Sequence, residues 1–248
     1  MKKLGTLLAS VAIFTAHTVS ADVIGLTAGA ELWQGDLDGR AGNTAASQSL
    51  NFNDDHRKAF YVAFEHPLPL LPNVAVRQQW SKHDGNSQLV GDLRLGNTRF
   101  PATSSIENQL AINYTDVTFY YELLDNPVLD LDLGLTTRWL DTETVVVSNT
   151  TRASVKASAP LPMLYLKSAV HVMGTNTSVF FDGNYSNYSD NTVYDARLGL
   201  AYQFVDLPAF NLWLKVGVQR LDVDLTNEDG LDIASLQDGV FIALELDL

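Results

Sequence analysis

The chain has 248 residues, 46% of them hydrophobic, with 29 acidic and 16 basic residues and no cysteine. Without cysteine there are no disulfides, thiolate metal ligands or cysteine nucleophile. The acidic excess argues against nucleic acid, which rewards basic patches.

Met1 to Ala21 reads as a cleavable secretory signal. Lys2 and Lys3 precede a short apolar run from Leu4 to Thr15, and Val19-Ser20-Ala21 supplies small residues for cleavage. That run is shorter than the ~20 residues of a membrane-spanning helix. The mature chain is then 22-248, with 16 − 2 = 14 basic residues against 29 acidic ones, a net charge of −15.

From Asp22 onward the apolar residues recur every second position, the period of a strand with two unlike faces. Ile24 to Leu32 sets isoleucine, leucine and alanine against Gly25, Thr27, Gly29 and Glu31. Phe60, Val62 and Phe64 oppose Tyr61, Ala63 and Glu65, and Val74, Val76 and Trp80 oppose Arg77 and Gln79. Val117 to Leu123 alternates with Asp116, Thr118, Tyr120 and Glu122. Leu129 to Trp139 does so with Asp130, Asp132, Gly134, Thr136 and Arg138. Leu164 and Leu166, then Val179 and Phe181, are shorter pieces facing away from Lys167 and Asp182. Leu198 to Phe204, Leu212 to Val218 and Val240 to Leu248 complete ten strands.

Strands of about 9–11 residues suffice to cross a bilayer when tilted. The predicted fold is therefore all-β, a transmembrane antiparallel up-and-down barrel of ten strands in one domain. Eight or twelve strands also fit, because Ser81 to Asn113 could extend the third and fourth strands as a hairpin through Leu89–Leu95 and Ser105–Ile112. Short turns at His66–Asn73, Leu124–Pro127, Gly174 and Val205–Ala209 alternate with longer polar connections at Gln34–Arg57, Ser81–Asn113 and Asp141–Lys156. Such asymmetry is expected of outer-membrane barrels, with the short turns in the periplasm.

Several segments are familiar together: Ala21-Asp22-Val23-Ile24-Gly25, the run Glu65-His66-Pro67-Leu68-Pro69-Leu70-Leu71-Pro72-Asn73, Thr115 to Glu122, and Pro160 to Tyr165. With the apolar last strand, the chain resembles a proteobacterial family of outer-membrane β-barrel proteins defined by location and not by activity. The resemblance implies a Gram-negative outer-membrane barrel with no assigned catalytic residues. Such barrels usually end in Phe; this chain ends in Leu248.

The charged residues in lumen phase are Glu31, Glu65, Arg77, Asp116, Glu122, Asp130, Asp132, Arg138, Lys167, Asp182, Asp195, Arg197, Lys215, Glu245 and Asp247. Lipid-facing charges would cost about 2–4 kcal/mol each near the midplane, so this phasing is required. They predict either an ion-pair network filling a narrow barrel or an acidic path for small cations.

Asp54-Asp55-His56 brings carboxylates beside an imidazole, the residue types of a general base, but adjacent strand residues face opposite ways. Asp222, Asp224, Thr226 and Glu228 have the spacing of calcium ligands, yet Asn227 and Ile233 stand where that loop needs Gly and Glu. His66, His83 and His171 are scattered outside any serine-hydrolase motif. No metal, cofactor or enzymatic activity is expected.

Trp80 and Trp139 would mark one membrane interface and Phe64, Tyr202 and Phe204 the other. Arg40, Arg57, Lys58, Lys82, Arg94 and Arg152 lie in or beside the long connections, within reach of lipopolysaccharide phosphates. The expected partners are outer-membrane lipid, lipopolysaccharide and the assembly machinery, which would read Val240 to Leu248. The leading function is a structural or surface-interaction role as a monomer. The alternatives are a narrow passive channel and, further off, a membrane-embedded hydrolase.

Overall fold

Strict alternation of side chains does not stop where the apolar runs stop, and the backbone stays extended well past them. The computed structural model describes residues 24–43, 46–53, 55–68, 70–189, 191–228 and 231–248. The signal reading over Met1 to Ala21 lies outside them.

Among the described residues the strands are β1 Gly25–Gly42, β2 Gln48–Leu50, β3 Asp55–Glu65, β4 Asn73–Trp80, β5 Lys82–Gln88, β6 Leu93–Leu95 and β7 Thr98–Phe100. They continue with β8 Ser105–Asp125, β9 Leu129–Val147, β10 Arg152–His171, β11 Thr177–Tyr188, β12 Asn191–Leu207, β13 Phe210–Glu228 and β14 Leu231–Asp247. In the main sheet β1, β3, β4 and β8 to β14 pair antiparallel in that order, and β14 returns to pair β1 from Thr27–Asp247 to Gly42–Asp232. This closes a ten-staved barrel: β5 prolongs β4 beyond Ser81 along β8 in unbroken register, so the two form one stave.

The long polar connections of the sequence are thus mostly strand, which corrects that reading. Asp141–Lys156 is the top of a β9–β10 hairpin paired out to Val147–Arg152. Gln34 to Gly42 belongs to β1; Ser105 to Ile112 does extend the fourth predicted strand, as part of β8, but its partner arm is Lys82–Gln88 and not Leu89–Leu95. The weak sixth strand is the 20-residue β10, and the seventh the 12-residue β11.

Several long staves exchange the polarity of their faces part-way along. On β8 the outer residues Val117, Phe119, Tyr121 and Leu123 give way to Thr115, Asn113, Gln109 and Glu107, while inward Asp116, Thr118 and Tyr120 give way to buried Tyr114, Ile112, Leu110 and Ile106. On β1 the outer face passes from Leu32 to Gln34, Asp36 and Asp38, and the inner face from Glu31 to Trp33 and Leu37. β13 does the same between Val218 and Arg220 outside and between Gln219 and Leu221 inside. Below this border the barrel suits oil outside and polar groups inside; above it the preference reverses, as in a soluble protein. Trp80 and Trp139, half-exposed on the outer face, stand at the border, followed outward by Lys82 and Asp141.

An apolar core therefore fills the upper lumen. Leu37, Leu110, Ile112, Leu140, Val146, Val193, Leu221, Val223 and Ile233 come from the staves. Leu50 comes from β2, which pairs β1 beyond the end of β3, and Leu89, Leu93, Leu95 and Phe100 come from the connection between β5 and β8 that includes the β6–β7 hairpin. Burial of each such side chain contributes about 1.5–3 kcal/mol.

Pro160 and Pro162 sit inside β10, where a ladder would normally exclude proline. Here β10 pairs β9 along its whole length but β11 only from Leu164 downward. Both prolines fall on the stretch with a neighbour on one side alone.

Candidate functional site

Under the apolar core the inner face turns to charge, and the staves place these groups at neighbouring heights across the lumen. Arg138 of β9 donates from Nε and Nη2 to the two carboxylate oxygens of Asp116 on β8, each at 2.7 Å, and reaches Asp195 Oδ2 on β12 at 2.9 Å. Its guanidinium lies 3.7 Å from the centre of the Tyr114 ring, a stacked geometry that favours Arg. The Tyr114 hydroxyl is 3.0 Å from Asp195 and 2.9 Å from Gln79 Oε1, and Gln219 donates to the other Asp195 oxygen at 3.1 Å. Glu31 takes Arg77 at 2.7 Å on one oxygen and Arg197 at 3.2 Å on the other; Arg197 also holds Asp182 at 2.6 Å. These groups are buried, and together they floor the lumen beneath the core.

Below that layer lies a cavity of about 780 Å³, opening toward the short turns and lined there by Ile24, Pro208 and Leu248 among others. Lys215 pairs with Glu245 at 2.5 Å, Lys167 with Asp132 at 3.3 Å and His171 with Asp130 at 2.8 Å. Tyrosines supply further donors: Tyr61 to Glu245 at 2.6 Å and Tyr120 to Glu65 at 2.8 Å. Thr27 caps Asp247 at 2.8 Å. Glu122 lines the cavity with no hydrogen bond or ion pair among the described residues.

One of these aromatic rings needs glycine opposite it. Tyr61 lies across Gly29, its cross-strand partner, so closely that a Cβ there would fall 2.1 Å from the ring. At Gly134 an added Cβ would instead meet the Phe119 carbonyl and the Tyr120 Cβ of the adjacent β8, so there the close approach is to the backbone and not to a ring. This explains glycine in the lumen phase better than a turn would.

All fifteen sequence-derived lumen charges lie on the inner face: thirteen line the cavity, while Arg138 and Asp195 lie buried above it. The sequence reading set Tyr61, Gln79, Tyr120 and Gln219 on the same face as the charges without making them partners, and it did not name Tyr114.

Other candidates come out differently. Arg57, read as a loop cation for phosphates, is buried on the inner face, its guanidinium 3.8 Å from the centre of the Trp33 ring. Its Nε donates to His83 Nε2 at 3.0 Å, and Ser81 Oγ lies 2.9 Å from the same nitrogen. Serine and imidazole at that distance are the start of a hydrolase pair, but both are buried, neither lines the cavity, and arginine already occupies the nitrogen. The side chains of Asp54 and Asp55 lie outside the described residues; His56 is exposed at the start of β3. Asp222, Asp224 and Thr226 are spaced along the outer face of β13 instead of curling into a loop, and the Glu228 side chain lies outside the described residues. No cluster of three metal-ligating side chains occurs among the described residues.

No family model matches the sequence, and no curated protein matches it. Among solved structures, the outer membrane protease OmpT of Escherichia coli aligns over 90% of this chain and 97% of its own, with a TM-score of 0.52 and 11% identity. Ail, the attachment invasion locus protein of Yersinia pestis, aligns over 88% and 98% at a TM-score of 0.36 and 7% identity. Neisserial surface protein A aligns over 90% and 96% at 0.33 and 8%. The OmpT likeness shows a shared barrel fold; at this identity it does not extend to activity.

Proposed function

We propose that this protein is an integral outer-membrane barrel of a Gram-negative bacterium, exported by its cleaved leader. It is non-catalytic, does not conduct, and has a structural or surface-interaction role carried by its upper staves. One observation carries the reading: above the cavity the lumen is filled, first by the apolar core and then by the layer of Arg138, Asp116, Asp195, Arg77, Glu31 and Arg197. A passive pore needs a continuous wet path, and the 780 Å³ cavity ends upward at that layer.

The polarity border supports the membrane assignment. Outward Leu135, Leu164, Leu198, Val218 and Ile242 are about half exposed, a cost in water that lipid removes. With the short turns in the periplasm, the water-adapted upper barrel stands outside the cell. Lys58 and Lys82, exposed just above Trp80, are placed to meet lipopolysaccharide phosphates.

Planar-bilayer recording of the purified, heat-modifiable protein tests this. The expected record has no discrete openings. Unitary steps that scale with protein and vanish on denaturation would instead establish the channel.

A further inference from the structure

The turn from His66 to Pro72 does not hang free beneath the barrel. Tyr121 points from the outer face of β8, and its hydroxyl donates to the Leu70 carbonyl at 3.0 Å. The His66 ring leans on Phe64, another outward residue, with ring centres 6.1 Å apart. Pairing of β4 with β8 stops at Asn73–Tyr120, whereas β8 runs on to Asp125. The turn occupies the outer wall beside that unaccompanied end.

Its chemistry suits an apolar surrounding. Leu68, Leu70 and Leu71 are 57%, 89% and 55% exposed. No charged residue occurs between Glu65 and Arg77. Hydrocarbon penalises an unsatisfied backbone donor, and Pro67, Pro69 and Pro72 have none. The His66 N–H donates to Asn73 Oδ1 at 3.1 Å, and the Leu68 N–H to His66 Nδ1 at 3.3 Å. The Leu70 carbonyl, turned outward, has Tyr121.

The other short turns also expose apolar side chains, Val128 in one and Val172 and Met173 in another, but each mixes them with polar groups. Asn126 caps its turn with Oδ1 accepting from Val128 and Leu129, just after Asp125. The turn through Gly174 is followed by Thr175 and Asn176, both exposed.

We infer that the His66–Pro72 turn is an interfacial anchor, with Leu68, Leu70 and Leu71 inserted into the lipid leaflet at the turn end of the barrel. The occupant is lipid because the patch is continuous with the outer apolar belt through Phe64, Phe119, Tyr121 and Leu123. The anchor fixes how deeply that end sits and which side of the barrel leans into the leaflet. It rests on the membrane assignment proposed above, and the test separates the two.

The absence of cysteine makes site-directed spin labelling clean. Single variants Leu68→Cys, Leu70→Cys, Leu135→Cys and Asn176→Cys, labelled in phosphatidylcholine–phosphatidylglycerol vesicles, would be power-saturated with oxygen and with a water-soluble nickel chelate. Leu135 reports the mid-belt and Asn176 the aqueous turn. The expected result is oxygen-dominated relaxation at Leu68, Leu70 and Leu135 and nickel-dominated relaxation at Asn176. Nickel access at both Leu68 and Leu70, with Leu135 still in oxygen, overturns the anchor while leaving the membrane reading intact. Nickel access at Leu135 overturns the membrane reading itself, and the anchor with it.

Discussion

Arg138 and Asp116 meet through two parallel N–H···O bonds of 2.7 Å, on adjacent staves and directly opposite each other in register. The fork geometry is the one in which arginine and carboxylate bind most strongly. It is buried, and Asp195 shares the same guanidinium.

Removing the cation alone should therefore be costly. Arg138→Met leaves two buried carboxylates without their partner, and a loss of about 3–5 kcal/mol is expected. Adding Asp116→Asn and Asp195→Asn to that variant should restore most of it, since neutral amides need no counter-charge. Urea unfolding in vesicles, followed by gel mobility, would measure both; equal losses in the single and triple variants would contradict the pairing.

The polarity border makes one substitution severe below it and mild above it. Leu135→Arg places a charge in the lipid belt at about 2–4 kcal/mol. Gln109→Arg, on the outer face of β8 above the border, should stay within about 0.5 kcal/mol of the parent. Comparable effects at the two sites would mean that the border is misplaced.

The upper core should behave as a protein interior. Leu110 and Leu93 are fully buried, one on a stave and one on the β6–β7 hairpin. Leu110→Ala should destabilise by about 2–5 kcal/mol. Leu93→Ala should cost less if the hairpin can settle into the space. Calorimetry in detergent micelles would give both, and a null effect at Leu110 would show that the upper lumen is wet.

Acid should loosen the β6–β7 hairpin before the barrel. Asp92 accepts the Ala102 N–H at 3.0 Å and Arg99 at 2.5 Å, which hold its carboxyl below the usual carboxylate range, the backbone bond contributing most. A depressed folded-state value means stabilisation that is fully present above the unfolded value near 3.9 and lost as pH falls through the folded one. Exchange protection of the Ala102 amide should therefore hold at pH 5 and weaken below about pH 4. Asp92→Asn should remove that pH dependence; a variant that keeps it would assign the effect elsewhere.

The belt was readable because lipid imposes one rule on every stave: apolar outward at every second position. Leu129 to Leu135 and Val240 to Leu248 obey it without exception. The upper staves obey the opposite rule, so Gln34, Asp36, Asp38 and Arg40, outward on β1, looked like a polar loop. Trp33, Leu37 and Ala41, alternating with them, carry the signal that the segment is strand with its apolar face inward. β5 was hidden for another reason: its inward residues are His83, Gly85 and Ser87, so neither face is apolar.

By itself the sequence determined the closed alternating sheet, its lipid belt and the inward phase of its charges, because period two and the cost of charge in hydrocarbon act locally. Tertiary structure decided which charges meet. Glu31 lies between Arg77 and Arg197, 46 and 166 residues away in the chain, a meeting that depends on barrel closure and strand register. It also decided that the upper lumen is filled, since Leu93, Leu95 and Phe100 of the β6–β7 hairpin are buried only because the staves surround them.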